Sequence, residues 1–202
     1  MYCQAIHRIT MNITFFTLML LFGTFAHSAT IAEDGLHKQD WFSITFKDVA
    51  EDIADAKAAD KRLVLIFEQR GCPFCAKLHK SILSDPEVAQ YLQENFHIVQ
   101  FNLFGDEEVT DTDGDILTEK TAASKWDVMF TPTMLFLPEE VVEGVSVAEA
   151  AVGKMPGAFG KLTLLHLFQW VREKGYEGDE HFQKYHARKI AARDAAGNSV
   201  DE

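Results

Sequence analysis

The chain has 202 residues, 47% of them hydrophobic and 25% charged, and a formal net charge of −12 at pH 7. Such a balance suits one soluble domain with a sizeable core. The acidity excludes nucleic acid and anionic membrane surfaces as natural partners, since both would repel it.

Residues 1–28 break from the rest: Arg8 is their one Lys or Arg, they hold no acid, and an apolar stretch runs from Ile13 to Phe25. Ala26-His27-Ser28 then puts small residues where a signal peptidase reads, so the expectation is an export signal cleaved after Ser28, with Ala29 as second choice. An uncleaved anchor is the alternative, although the apolar stretch is short for a spanning helix. Cleavage removes Cys3 and leaves two cysteines. An exported chain with one cysteine pair and no disulfide framework suits a handler of disulfides better than a user of them. The expected location is the periplasm, with no membrane insertion after cleavage.

Residues 29–44 read as a polar, loose lead-in, with Trp41 to Phe46 as either a short strand or an apolar clamp. Lys47 to Lys61 predicts a helix with Val49, Ile53 and Ala56 on one face. Arg62 to Glu68 is a continuous apolar run of strand length, as in a central strand covered on both faces. Cys72-Pro73-Phe74-Cys75 follows and opens a helical segment from Ala76 to Leu83. Ser84-Asp85-Pro86-Glu87 reads as a fresh cap for a helix to about Asn95, and Phe96 to Leu103 as a second strand. Gly105 to Asp115 is an acidic loop; with Asp111 first, the twelfth position of a calcium frame is Ala122 rather than glutamate, so a solvated turn is expected. A helix from Leu117 to Trp126, a strand from Thr133 to Leu137, a strand from Ala148 to Val152 and an apolar helix from Gly160 to Lys174 complete the pattern. The helix leaves little polar face, which predicts burial against the sheet with its back covered by the charged tail, partly helical and then disordered, of residues 176–202. Helices and strands in this order predict parallel pairing first and a hairpin later, a three-layer α/β sandwich.

A strand, a short turn and a Cys-x-x-Cys at the first turn of a helix is the layout of a dithiol redox site. Unpaired N–H groups and the positive end of the helix dipole stabilise a thiolate there. Cys72 is expected to be the more exposed and more acidic thiol, the nucleophile, with Cys75 resolving the mixed disulfide. Pro73 suits the first helical position, where its missing N–H costs nothing. A zinc site would need a second ligand pair, which the sequence does not offer at ligand spacing. A soft-metal module holding Cu(I) on Cys72, Cys75 and His79 is a second class of function.

With Cys72-Pro73-Phe74-Cys75 after the first core strand and Thr131-Pro132-Thr133 before the third, the chain resembles the thioredoxin superfamily over roughly residues 45–175. The continuation into Ser84-Asp85-Pro86-Glu87-Val88 is similar to an exported thioredoxin-like branch. Gly153-Lys154-Met155-Pro156-Gly157 and Phe168-Gln169-Trp170-Val171 resemble the periplasmic thioredoxins of sulfur-oxidation gene clusters, the SoxW type. The resemblance implies a thioredoxin fold, a central mixed sheet with helices on both faces. It also implies thiol–disulfide exchange with client proteins, no cofactor, and re-reduction by a membrane electron-donor protein. A carrier protein of sulfur oxidation is the client it suggests; disulfide oxidase or isomerase activity is the alternative. It further implies a cis Thr131-Pro132 bond beside the cysteines, with Thr131, Pro132, Pro73 and Phe74 meeting the client. The sequence departs from the family where its buried aspartate is replaced by Ile66, where Gly71 and Pro73-Phe74 replace the usual Trp and Gly-Pro, and where Lys80 replaces a helix-kinking proline. Glu68 and His79 are the candidate substitutes for the missing base, with Glu68 preferred and His79 read as a plain surface histidine.

Overall fold

In a computed structural model of the chain, residues 30–141 and 144–197 are described; the expected signal segment and Cys3 lie outside them. The elements begin with β1 (Thr30–Ile31), β2 (His37–Lys38), α1 (Val49–Ala58), β3 (Arg62–Glu68), α2 (Pro73–Lys77) and α3 (Pro86–Asn95). They continue with β4 (Phe96–Asn102), β5 (Glu108–Thr110), β6 (Ile116–Thr118), α4 (Glu119–Lys125), β7 (Thr133–Phe136) and α5 (Val147–Ala150). β8 (Gly153–Pro156), α6 (Lys161–Arg172) and α7 (Phe182–Ala195) close the series.

The main sheet has the order β4-β3-β7-β8. β3 pairs with β4 in parallel and with β7 antiparallel, and β8 lies antiparallel to β7. All seven residues of β3 are buried because helices cover both sides of it. Leu63, Leu65 and Phe67 point to one face, against Val49 and Ile53 of α1 and Trp126 at the end of α4. Val64 and Ile66 point to the other, against Leu78, Val88 of α3 and Phe168 of α6. Strand alternation puts Glu68 on this second face, directly beyond Ile66. The three layers and the mixed sheet are those expected from the sequence.

Local chemistry explains most boundaries. Asp85 caps α3, accepting from the Glu87 and Val88 amides, with Pro86 at the first position. Asp48 caps α1 through the Glu51 amide at 3.1 Å. Asp52, one turn on, is only 2% exposed, and burial pushes its carboxyl up to about 6, opposed by a hydrogen bond from the Thr45 hydroxyl. The folded state therefore holds this proton to higher pH than the unfolded chain, and stability falls as pH rises between about 4 and 6. Asp52→Asn should be the more stable form at pH 8, by up to about 3 kcal/mol, and lose that advantage by pH 4. Urea melts at the two pH values test this; an advantage independent of pH would sink it.

Three expectations are corrected. The lead-in is not loose: β1 and β2 form a hairpin whose Leu36 and Gln39 are buried. Gln100 of β4 donates to the His37 carbonyl at 2.7 Å, and Arg70 donates to the Asp34 carbonyl, so the hairpin is tied to the domain. Of Trp41 to Phe46, Trp41 and Phe42 pack inward while Ile44 and Phe46 face solvent, and only Ser43 bridges Val99. The segment expected as a strand near Ala148 is instead α5, and the strand comes later as β8, since Ser146 starts a helical turn with Val147 in the core. The tail is helical in part, as expected: α7 docks on α6 and covers its back, with Phe182 and His186 packing on Trp170 and His166, and residues 198–202 lie outside the described residues.

The acidic loop is the third. It contains the β5–β6 hairpin, and Asp111 is 1% exposed rather than solvated. Its carboxylate accepts from Trp126 Nε1 at 2.9 Å and from the Val147 amide at 2.9 Å. Burial works to raise Asp111, but bonds from Lys125, Trp126, Val147 and Thr112 outweigh it and hold the group below the ordinary carboxylate value. The Lys125 ammonium lies 2.8, 2.6 and 2.8 Å from oxygens of Asp111, Asp113 and Asp115.

Candidate active site

β3 ends at Glu68, and the chain turns at Gly71, whose φ of 73° is a backbone conformation that side chains disfavour. Cys72 then takes the N-cap position of α2 in extended geometry, and Pro73 occupies the first turn. Cys72 Sγ accepts from the Cys75 amide at 3.1 Å, doing the work of a capping oxygen. Negative charge on that sulfur meets an unpaired N–H and the positive helix end.

Cys72 and Cys75 are both free thiols. The expectation of an exposed Cys72 is corrected: it is 4% exposed and Cys75 1%. The cover on Cys72 is Thr131, whose hydroxyl donates to Sγ at 3.4 Å and whose carbonyl faces it at 3.5 Å. The Thr131-Pro132 peptide is cis, and Pro132 leads straight into β7. Pro73 and Phe74 stand beside them on the surface. Cys75 is different in kind. Burial pushes its thiol up, and the Cys72 side chain and the Glu68 charge add to the effect.

Glu68 and His79 are brought together under this pair. The expectation of a surface histidine is overturned: His79 is 0% exposed, as is Glu68. His79 Nε2 lies 2.9 and 3.1 Å from the two carboxylate oxygens, and the Gln100 amide nitrogen also donates to Glu68. On its other side the imidazole meets Gln39 of the hairpin, with Nδ1 3.2 Å from Nε2 of the amide. Phe42 and His37 flank the ring, each with centroids 5.6 Å away. A buried carboxylate with hydrogen bonds on both oxygens is the arrangement in which such a group is tolerable.

The turn that holds His79 is unusual. α2 runs into a π-helix over Leu78–Ile82, closed by the Leu83 amide bonding back to the Leu78 carbonyl. Single π-turns of this kind recur at functional sites. The signal for a buried His79 was in the sequence: Cys75, Leu78, His79 and Ile82 stand at the spacing of one helical stripe. Gln39 and Gln100 carried no comparable signal, because each is an isolated amide that acquires its meaning from tertiary contact.

Around the sulfurs the surface is apolar. Phe74, Met129, Phe130 and Phe104 are 61–68% exposed, although large side chains of this type are normally covered. Met129 and Phe130 precede Thr131, and Phe104 follows the end of β4, so these side chains come from loops at the cysteine end of the sheet. Met129 and Phe104 line an open groove of about 540 Å³ with Leu103 and Val128. Among the described residues, no cluster of three or more His, Cys, Asp and Glu side chains is disposed to hold a metal ion.

A search of curated proteins finds no match. Among solved structures, a thioredoxin-fold protein from Helicobacter pylori is 18% identical with a TM-score of 0.53, covering 76% of this chain and 97% of its own. A thioredoxin from Thermus thermophilus is 24% identical with a TM-score of 0.49, covering 63% and 86%. The first likeness establishes the fold. Family profiles add the assignment: the thioredoxin-like domain matches residues 49–158, more than half of the chain, from α1 through the cysteine pair and Thr131-Pro132 to the end of β8. The chain belongs to the thioredoxin-like domain family.

Proposed function

We propose that this protein is a thiol–disulfide oxidoreductase that exchanges disulfides with client proteins through Cys72 and Cys75. The asymmetry between the two thiols carries the reading: Cys72 Sγ accepts an N–H bond at a helix start, while burial and negative charge push the Cys75 thiol up. The Cys72 thiolate attacks a client disulfide; the client S–S bond breaks, a Cys72–client disulfide forms, and one client thiolate leaves. Cys75 then gives up its proton and attacks Cys72 Sγ, releasing the second client thiolate and leaving a Cys72–Cys75 disulfide. Two electrons pass from the dithiol to the client. Glu68 is the base for Cys75, as the buried carboxylate whose charge that thiol feels.

The client approaches as an extended segment over Thr131 and Pro132, with Pro73, Phe74 and the neighbouring apolar rim receiving its side chains. The protein works in the periplasm after loss of residues 1–28, and a membrane electron-donor protein re-reduces it. A sulfur-oxidation carrier protein is the client that the sequence resemblance favours. Full-length mature chain should accelerate insulin reduction by dithiothreitol, and Cys72→Ser should abolish the acceleration. A chain no faster than dithiothreitol alone overturns the proposal.

A further inference from the structure

α4 closes on a residue that a helix end seldom takes. The Val128 amide bonds back to the Ala123 carbonyl at 2.8 Å, and the Asp127 amide to that of Ser124 at 3.3 Å, the two bonds of a Schellman motif. The left-handed position of that motif is usually glycine, and here it is Asp127, with a φ of 52°. The carbonyls of Trp126 and Asp127 stand at the negative end of the helix, where a cation is favoured. The cation that meets them comes from the sheet. Lys154 Nζ lies 3.3 Å from the Trp126 carbonyl, donates also to the Asp127 carbonyl, and is 3.3 Å from an Asp127 carboxylate oxygen. Lys154 stands opposite Leu135 in the β7–β8 ladder, and Leu135 belongs to the core on the α4 side. Strand alternation therefore sends the lysine toward α4 and Met155 into the opposite core.

The residues after this clamp are those that surround Cys72. Val128 is buried in the core, Met129 and Phe130 are exposed, and Thr131 lies on the sulfur. The far end of the loop is fastened as well. The Phe130 carbonyl accepts from the Thr133 hydroxyl at 2.7 Å, and the Pro132 carbonyl from the Gly157 amide at 2.6 Å. Gly157 follows β8 directly, so one strand and the residue after it hold both ends of the loop: Lys154 at Trp126–Asp127 and Gly157 at Pro132. An exposed Lys–Asp pair by itself adds little, and the Asp127 side chain is exposed. The two backbone carbonyls matter more, because they fix where the chain leaves the helix.

We propose that Lys154 is a positioning residue for client binding. By holding the Trp126 and Asp127 carbonyls it sets the path of residues 128–131, and so places Met129 and Phe130 where the side chains of a client segment land. This rests on the reading of the Thr131-Pro132 edge as the client-facing one. Lys154 acts at the rim and leaves the chemistry of Cys72 alone. An extended protein segment that lies across the rim depends on it, whereas a small disulfide that needs only the sulfur does not.

The test gives the reduced full chain two substrates. Insulin, with dithiothreitol as reductant, yields kcat and KM; a chromogenic aryl disulfide in stopped flow reports the first thiolate released by Cys72. Lys154→Met keeps a long apolar stem and loses the cation and its donors. Its KM for insulin should rise about fivefold, the size of one net hydrogen bond, with kcat and the aryl release unchanged. Lys154→Arg, which can donate to the carbonyls again, should restore most of the loss. Hydrogen exchange in the methionine variant should quicken at the Val128 amide and stay as in wild type along β3. An unchanged KM for insulin overturns the proposal, as do equal losses on both substrates, an arginine variant as impaired as the methionine one, or unchanged exchange at Val128. Failure of the parent readings is separable. A wild-type chain that releases no aryl thiolate ends the oxidoreductase reading, and a Phe130→Ser variant with wild-type KM for insulin ends the reading of this loop as client-facing; either result removes this inference with it. An active chain whose KM depends on Phe130 but not on Lys154 ends this inference alone.

Discussion

Cys75→Ser is expected to accumulate client proteins covalently bound to Cys72, whereas Cys72→Ser should accumulate none. The first step needs only the sulfur that caps α2, and serine at position 75 retains the backbone N–H that bonds to it at 3.1 Å. The second step needs Cys75, so without it the mixed disulfide has no internal exit and its lifetime passes from transient to that of slow exchange with external thiols. Loss of Cys72 leaves a thiol that is 1% exposed and pushed up by burial, a poor nucleophile at neutral pH and closed to a protein-sized disulfide. Affinity capture followed by non-reducing electrophoresis and mass spectrometry reads the result directly. Equal trapping by both variants, or trapping by Cys72→Ser alone, would contradict the order of attack.

Trp126→Ala should be the most damaging of the simple core truncations. The indole is 1% exposed and packs edge-on against Phe67 and Phe101, with ring centroids 5.8 and 5.9 Å away. Replacing a buried Trp by Ala costs about 3–5 kcal/mol through lost transfer energy and the remaining cavity. The substitution also removes the Nε1 donor to buried Asp111, a group whose other bonds start α5 and fasten the β5–β6 hairpin. For a domain of this size the melting point should fall by about 10 °C or more. Trp126→Phe, which keeps the ring packing and loses only the hydrogen bond, should recover most of the loss. A drop of less than about 2 °C in the alanine variant would show that the site collapses around the missing ring.

What the sequence reveals and what it conceals follow from how local each cause is. β3 was legible because a strand covered on both faces must be apolar throughout, and Asp85-Pro86 announced α3 because a cap and a first-turn proline act within four residues. Cys72 could be placed at a helix start on the same grounds, but its burial could not, since the Thr131 cover comes from 59 residues away in the chain. At His79 residue type misleads: an imidazole reads as polar, whereas the stripe of Cys75, Leu78 and Ile82 around it points inward. The ordering of residues 30–40 stayed hidden for another reason. Leu36 and Gln39 are single inward side chains in a polar stretch, and no periodicity marks them. Asp111 looked solvated because its neighbours are acidic, while the groups that desolvate and satisfy it, Trp126 and Val147, lie well downstream.

Lys125 gives that acidic loop a property that calcium loops lack. Three carboxylates converge on one positive centre, as in an ion site, but the centre is an ammonium anchored to the chain through its own side chain on α4. An ion-held loop opens when the ion is diluted or chelated, since binding is governed by mass action. A tethered cation has no dissociation into bulk, and its local concentration is set by four methylenes rather than by the surroundings. The fastening of this hairpin to α4 is thereby independent of divalent supply, and it is made at the moment the chain folds.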